Sequence, residues 1–265
     1  APRAELDEGW YDELALDFHR QPEPFDLGTG ERVQVGLAAA IDVLLRTAGA
    51  CLVGGLALPL GYHPLGIYRA LRDADFYAEA VRGRDPSRFY RKPESVVRFS
   101  RRPASMPLFS PTDGSCEDVR FESPFLPVNR REPKRYLHHA RNRYAHARHC
   151  PHYKGPRATV LAVHGFSADL YHFNEWFFAI PWLYRAGFDV LLVTLPFHGK
   201  RQTAMSPFSG HGFFAGGANR INEAFAQAIF DIRIFMNGLF SAGVPQVGVT
   251  GMSLGGLTTS LLASV

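Results

Sequence analysis

The chain has 265 residues, 46% of them hydrophobic, which is enough for one large core plus an appendage and excludes a disordered or low-complexity protein. Its formal charge of +4 is unevenly placed: residues 81–150 carry 16 Lys and Arg against 7 Asp and Glu, while the remainder carries 13 against 18. That middle stretch reads as a solvated, arginine-biased surface without the basic–aromatic alternation of single-strand binders, so nucleic acid is not expected as a partner.

The chain opens with "APRAELDEGWYDELALDF", which is acidic and lacks both a basic leader and an apolar centre, so it does not read as a secretory signal. Between Arg46 and Arg69 runs a charge-free stretch of 22 residues, long enough to cross a bilayer. Five glycines and two prolines interrupt it, and Asp42 and Arg46 precede it on the same expected helix. A buried or peripherally inserted helical segment is therefore expected there, leaving peripheral membrane contact open.

Residues 64–82 place Ile67, Leu71, Tyr77 and Val81 at helical spacing behind a proline, which predicts a helix. From 84 to 135 the chain is rich in Pro and Arg, with short strand candidates at "SVVRFS" and at "EDVRFESPF", where Val119, Phe121 and Ser123 alternate. Cys51, Cys116 and Cys150 are an odd, widely spaced set without a CxxC, so neither a disulfide nor a thiolate zinc site is expected. A reducing compartment and a cytoplasmic location, with membrane association left open, follow from that reading.

After Asn142 the pattern becomes regular. "NRYAHARH" and the continuously apolar "ATVLAVHG" predict strands, the second of the kind buried on both faces of a parallel sheet. A helix is expected over 173–186, a strand over 188–195, a long helix over 219–240 and a last strand at "VGVTG". This alternation predicts a doubly wound, mostly parallel α/β sheet in residues 116–265, with residues 1–115 as a helical or irregular appendage.

The pentapeptide "GMSLG" follows that last strand and precedes an apolar helix. A serine at a sharp strand-to-helix turn needs small neighbours two positions away, here Gly251 and Gly255, and the turn lifts the Ser253 hydroxyl clear of the sheet. Acyl transfer through Ser253 would need two oxyanion donors, for which the backbone N–H groups of Leu254 and Phe166 are the candidates, with Ser167 as an alternative. Phe166 lies in "HGFSA", at the end of the first buried strand; His164 in the same segment reads as a structural histidine lining the site.

"VLAVHGF", "YRAGFDVLLVTLPFHGKR" and "GVTGMSLGG", in this order, resemble the α/β-hydrolase superfamily, on its esterase and lipase side, over about residues 140–265. The resemblance implies ester hydrolysis through an acyl-enzyme on Ser253, with a histidine relaying the proton and a carboxylate orienting it. In this family both partners follow the nucleophile, whereas only "LGGLTTSLLASV" follows Ser253 here. His198 and His211 are the nearest stand-ins, and Lys200–Ala218 reads as a flexible lid.

The five histidines between 138 and 152 lack metal-ligand spacing, so no metal and no cofactor is expected. A last strand left unpaired would be an exposed apolar edge, so a C-terminal remainder of the same polypeptide is expected to supply further strands, the acid and the histidine. The expected function is a serine-dependent carboxylic-ester hydrolase acting on a small-molecule or lipid-like ester. The alternatives are a non-catalytic binding or membrane-associated scaffold of the same fold, and an acyltransferase.

Overall fold

A computed structural model of the chain describes residues 27–52, 54–55, 63–83, 85–94 and 97–265. The acidic opening segment and part of "SVVRFS" lie outside the described residues. The described residues fall into two compact units, one ending at Gly49 and one starting at Ala50. Helix α1 (Thr29–Leu52) carries, over Thr29–Cys51, a segment long and apolar enough to cross a membrane, with mean hydropathy 1.4. Its Val33, Leu37, Leu44 and Leu45 side chains are exposed.

The charge-free run between Arg46 and Arg69 is therefore not one helix. Its first residues complete α1, which contains Asp42 and Arg46, and its last begin α2 (Pro64–Arg82). Pro64 fits the first turn of α2, where its missing N–H costs nothing.

In the second unit, α2 matches its expected bounds and docks through polar contacts. Asp73 accepts from the side chains of Asn129 (3.0 Å) and Asn219 (2.8 Å), and Tyr77 donates to Glu223 (3.2 Å). Strands β1 (Ser100–Pro103) and β2 (Glu117–Glu122) follow. They are succeeded by a short helix α3 (Pro133–Leu137), then β3 (Tyr144–Cys150) and β4 (Thr159–Val163). Helices α4 (Tyr171–Phe177) and α5 (Ile180–Arg185) lead to β5 (Asp189–Thr194). The chain continues through α6 (His211–Phe214), α7 (Gly217–Ser241), β6 (Val247–Gly251) and α8 (Leu254–Ala263). Thus β1, α2 and the segment between them, expected in an appendage, belong to the unit that contains the sheet.

The six strands are ordered β1-β2-β3-β5-β4-β6. β4, β5 and β6 pair in parallel, β3 runs against them, and β1 and β2 extend the sheet by antiparallel pairing. Four of the six strands run the same way, and the architecture is an α/β fold with a mixed, mostly parallel sheet and helices on both faces. The period-two alternation of side chains decides which helix packs where. Ala162, Val190 and Leu192 meet Ile180 of α5, whereas Leu161, Val163, Leu191 and Val193 meet Ile229 and Ile232 of α7. Val119 and Phe121 of β2 and Ser123 just after it turn inward together, as their alternation requires.

The helix expected over 173–186 is broken. Ala179 takes a left-handed conformation (φ 48°), and Pro181 stands in the first turn of α5, because a proline deeper inside a continuous helix would cost a hydrogen bond and clash. The expectation about cysteines is also corrected, since Cys116 and Cys150 form a disulfide. Glu117 pairs with His149 across β2 and β3, so the next residues outward, 34 apart in sequence, fall opposite each other. Spacing along the chain could not reveal a pairing created by strand register.

Candidate active site

Three loops converge at the C-terminal ends of the parallel strands β4, β5 and β6, the position where open α/β sheets bind ligands. The first joins β6 to α8 through Met252 and Ser253. Ser253 is exposed and adopts φ 50°, ψ −112°, a conformation that L residues avoid. The turn is possible because its flanks lack side chains. A Cβ on Gly251 would stand 2.4 Å from the Gly255 carbonyl, and one on Gly255 would stand 2.1 Å from the Val163 oxygen. Leu254 is the first residue of α8, so its N–H has no acceptor within that helix.

The second loop leaves β4 at His164. The His164 Nε2 accepts the Leu195 N–H at 3.0 Å, which puts the ring proton on Nδ1, donated to the Gly165 carbonyl at 2.7 Å. Both nitrogens are thus committed to holding the β4 and β5 loops together, and burial keeps the ring neutral by lowering its pKa. Gly165 lies against the serine turn: a Cβ there would sit 2.9 Å from the Met252 methyl and 3.5 Å from the Ser253 Cβ. Phe166 follows, with its ring 5.0 Å from Phe214 and 6.1 Å from Phe208, and Ser167 turns outward at φ 59°.

The third loop follows β5. His198 is completely buried, its Nδ1 donates to the Pro196 carbonyl at 2.8 Å, and its Nε2 faces Gly210, where a Cβ would come within 2.4 Å. Burial, reinforced by neighbouring His164, holds its pKa well below the ordinary histidine value. Arg201 anchors the loop from below, bonding the Thr194 carbonyl (3.1 Å), the Asn142 carbonyl (3.1 Å) and the Asp231 carboxylate (2.8 Å).

The structure therefore brings Ser253, Leu254, Gly165 and Phe166 together and sets His164 and His198 behind them as packing and loop-tying groups. Residues 200–218, expected as a flexible lid, are in part core: Phe213 is fully buried, His211 is buried, and the Gly210 N–H bonds the Phe197 carbonyl at 3.0 Å. Aromatic packing of Phe213 on His198 and Phe225 draws the segment inward. Sequence reasoning missed a link among the loops, in which the Gly199 N–H donates to the Ser209 hydroxyl (2.9 Å) and that hydroxyl donates to Asp169. No local pattern announces it, because its three members are spread over 41 residues. His146 and His149 face opposite sides of β3, and among the described residues no three His, Cys, Asp or Glu side chains gather as a metal-binding group.

No family model matches the chain, and no curated protein matches it in sequence. Solved structures with a similar fold include acetyl xylan esterase 1 from Thermoanaerobacterium sp. JW/SL YS485, 17% identical, with a TM-score of 0.48 over 70% of this chain and 54% of that one. Another is the acetyl xylan esterase from Paenibacillus sp. R4, 14% identical, with a TM-score of 0.45 over 72% and 55%. A cold-adapted esterase from an Arctic intertidal metagenomic library is 15% identical, with a TM-score of 0.37 over 61% and 59%. The chain spans about half the length of the first of these structures.

Proposed function

We propose that the chain is a carboxylic-ester hydrolase that works through an acyl-enzyme on Ser253. The observation that carries this reading is the Ser253 backbone, held at φ 50° between two glycines whose hydrogens cannot be replaced. A non-glycine residue in so sparsely populated a region costs about 1–3 kcal/mol, and a serine needed only for packing would not require it. The Ser253 Oγ attacks the substrate carbonyl carbon, and the Leu254 and Phe166 N–H groups stabilise the negative oxygen of the tetrahedral intermediate. Collapse expels the alcohol, which takes up the proton removed from Ser253. Water then attacks the acyl group and restores the hydroxyl.

In this reading neither His164, which has both nitrogens engaged, nor His198, which is enclosed, relays the proton. Phe166, Phe208 and Phe214 beside the serine turn favour an apolar or lipid-like acyl group. α1 supports association with a membrane, and the Cys116–Cys150 disulfide favours an oxidising compartment over a cytoplasmic one.

A fluorophosphonate probe tests the assignment. Peptide mapping should place the adduct on Ser253, and Ser253→Ala should remove it. An adduct elsewhere, or no adduct at all, overturns the hydrolase reading. The scaffold alternative is favoured by α1, and it predicts that Ser253→Ala changes no measurable property.

A further inference from the structure

A cavity of about 120 Å³ is lined by residues of three helices, among them Arg69 of α2, Arg135 of α3 and Arg220 of α7. His63 and Asn219 complete its polar lining. Convergent like charges repel, and in a partly enclosed space water screens them poorly, so such a cluster needs negative charge nearby.

The chain supplies little of it. Arg135 meets Glu132 at 3.2 Å. Arg69 has no ion pair among the described residues. Among the described residues no carboxylate is within bonding distance of Arg220, and Glu132 acts on it only at longer range: Arg220 reaches the Gly212 carbonyl at 3.4 Å and lies over the Phe197 ring at 5.5 Å. Burial, reinforced by the Arg135 charge and only partly offset by Tyr136 and Glu132, lowers the Arg220 pKa. The nearby Asp73 carboxylate is already committed to Arg72, Arg131, Asn129 and Asn219.

The cluster is held in place. Asp73 and Tyr77 fix α2 against α7 through Asn219 and Glu223, so Arg69 cannot simply swing away with its helix. A Cβ on Gly216 would stand 2.1 Å from the Arg220 Nε, so only glycine lets the Arg220 side chain take its path over the start of α7.

We propose that Arg69, Arg135 and Arg220 form a binding site for a phosphate or phosphomonoester group. Three guanidiniums approaching from separate helices suit a tetrahedral, multiply charged oxyanion better than a planar carboxylate, which one arginine satisfies with two parallel bonds. The site does not depend on the reaction assigned to Ser253, and Ser253→Ala leaves it intact.

The test is a thermal-unfolding titration and calorimetry of the 265-residue chain with inorganic phosphate, at ionic strength held constant with sodium chloride. Phosphate is expected to raise the Tm saturably. Arg69→Gln and Arg135→Gln are each expected to weaken the binding about tenfold or more, the loss typical of a charge-assisted contact. Both variants should keep the wild-type far-ultraviolet circular dichroism; in phosphate-free buffer Arg69→Gln should melt no lower than the parent, whereas Arg135→Gln also breaks the ion pair with buried Glu132 and should melt lower, so the binding loss is read by calorimetry below both melting temperatures. Vesicles of phosphatidylcholine with and without phosphatidic acid separate the two sources. Arginine-dependent binding to phosphatidic acid identifies a lipid headgroup, and arginine-dependent binding to inorganic phosphate alone identifies a soluble ligand. An equal response to phosphate and chloride, or phosphate and vesicle binding unchanged in Arg69→Gln/Arg135→Gln, overturns the proposal.

Discussion

At the scale of single residues, the serine turn is governed by what is missing. Gly255 packs its bare Cα against the β4 carbonyls, and a methyl there would stand 2.1 Å from the Val163 oxygen and 2.6 Å from that of His164. Backbone cannot rotate away as a side chain can. Gly255→Ala should therefore destabilise the chain by about 3 kcal/mol or more, at the upper end for overpacking, and should abolish Ser253 labelling even below the melting temperature. Urea denaturation and probe labelling measure the two effects separately. The glycine–serine–glycine spacing was legible in the sequence because strain at a turn restricts composition locally. The tautomer of His164 was not, because the Leu195 N–H that fixes it belongs to the loop after β5, 31 residues away.

At the scale of elements, α7 shows why the strands were easier to read than the charges. Glu223, Gln227 and Asp231 recur every fourth residue, so they stand on one face of the helix, and all three are buried. Each satisfies a different part of the fold: Glu223 accepts the Val128 and Asn129 N–H groups, Gln227 bonds Tyr136 and Asn142, and Asp231 pairs with Arg201 and Ser123. Arg201→Met leaves Asp231 buried without its cation and should cost about 3–5 kcal/mol, read as a lowered urea midpoint. The apolar strands β4 and β5 were legible because burial on both faces leaves a continuous hydrophobic run. The fate of the arginines was not legible: Arg148, counted within a basic surface, is buried between Asp118 (3.0 Å) and Glu175 (2.7 Å) and lies over the Tyr171 ring. β3 also carries a pH dependence. Burial pushes His146 and His149 down to about 4 from an ordinary value of 6.5, so the fold favours their neutral forms. Their contribution to stability is present above pH 6.5 and is lost as the pH falls toward 4. The urea midpoint should drop across that window, and His149→Gln should flatten the drop.

At the scale of the whole molecule, the disulfide and α1 bear on the same question of where the chain works. Cys116 and Cys150 close a loop of 34 residues that contains β2, α3 and β3, and so tie the antiparallel side of the sheet together from the end opposite the serine turn. A cross-link of that span restricts the unfolded chain by roughly 4 kcal/mol in the chain-entropy account, a large share of the stability of an ordinary domain. The double replacement Cys116→Ser and Cys150→Ser should thus lower the urea midpoint of the 50–265 unit within the intact chain by that order. Reductant should do the same to the parent and leave the double variant unchanged, which separates the cross-link from any cost of the serines themselves. If reductant leaves the parent's midpoint where it was, the two thiols are not joined in solution and the argument for an oxidising compartment falls with them. If the midpoint falls as expected, the chain depends for its stability on an environment that keeps the bond formed. The Thr29–Cys51 segment of α1 is long and apolar enough to cross a membrane, which is why membrane association stands beside the oxidising compartment in the proposed function.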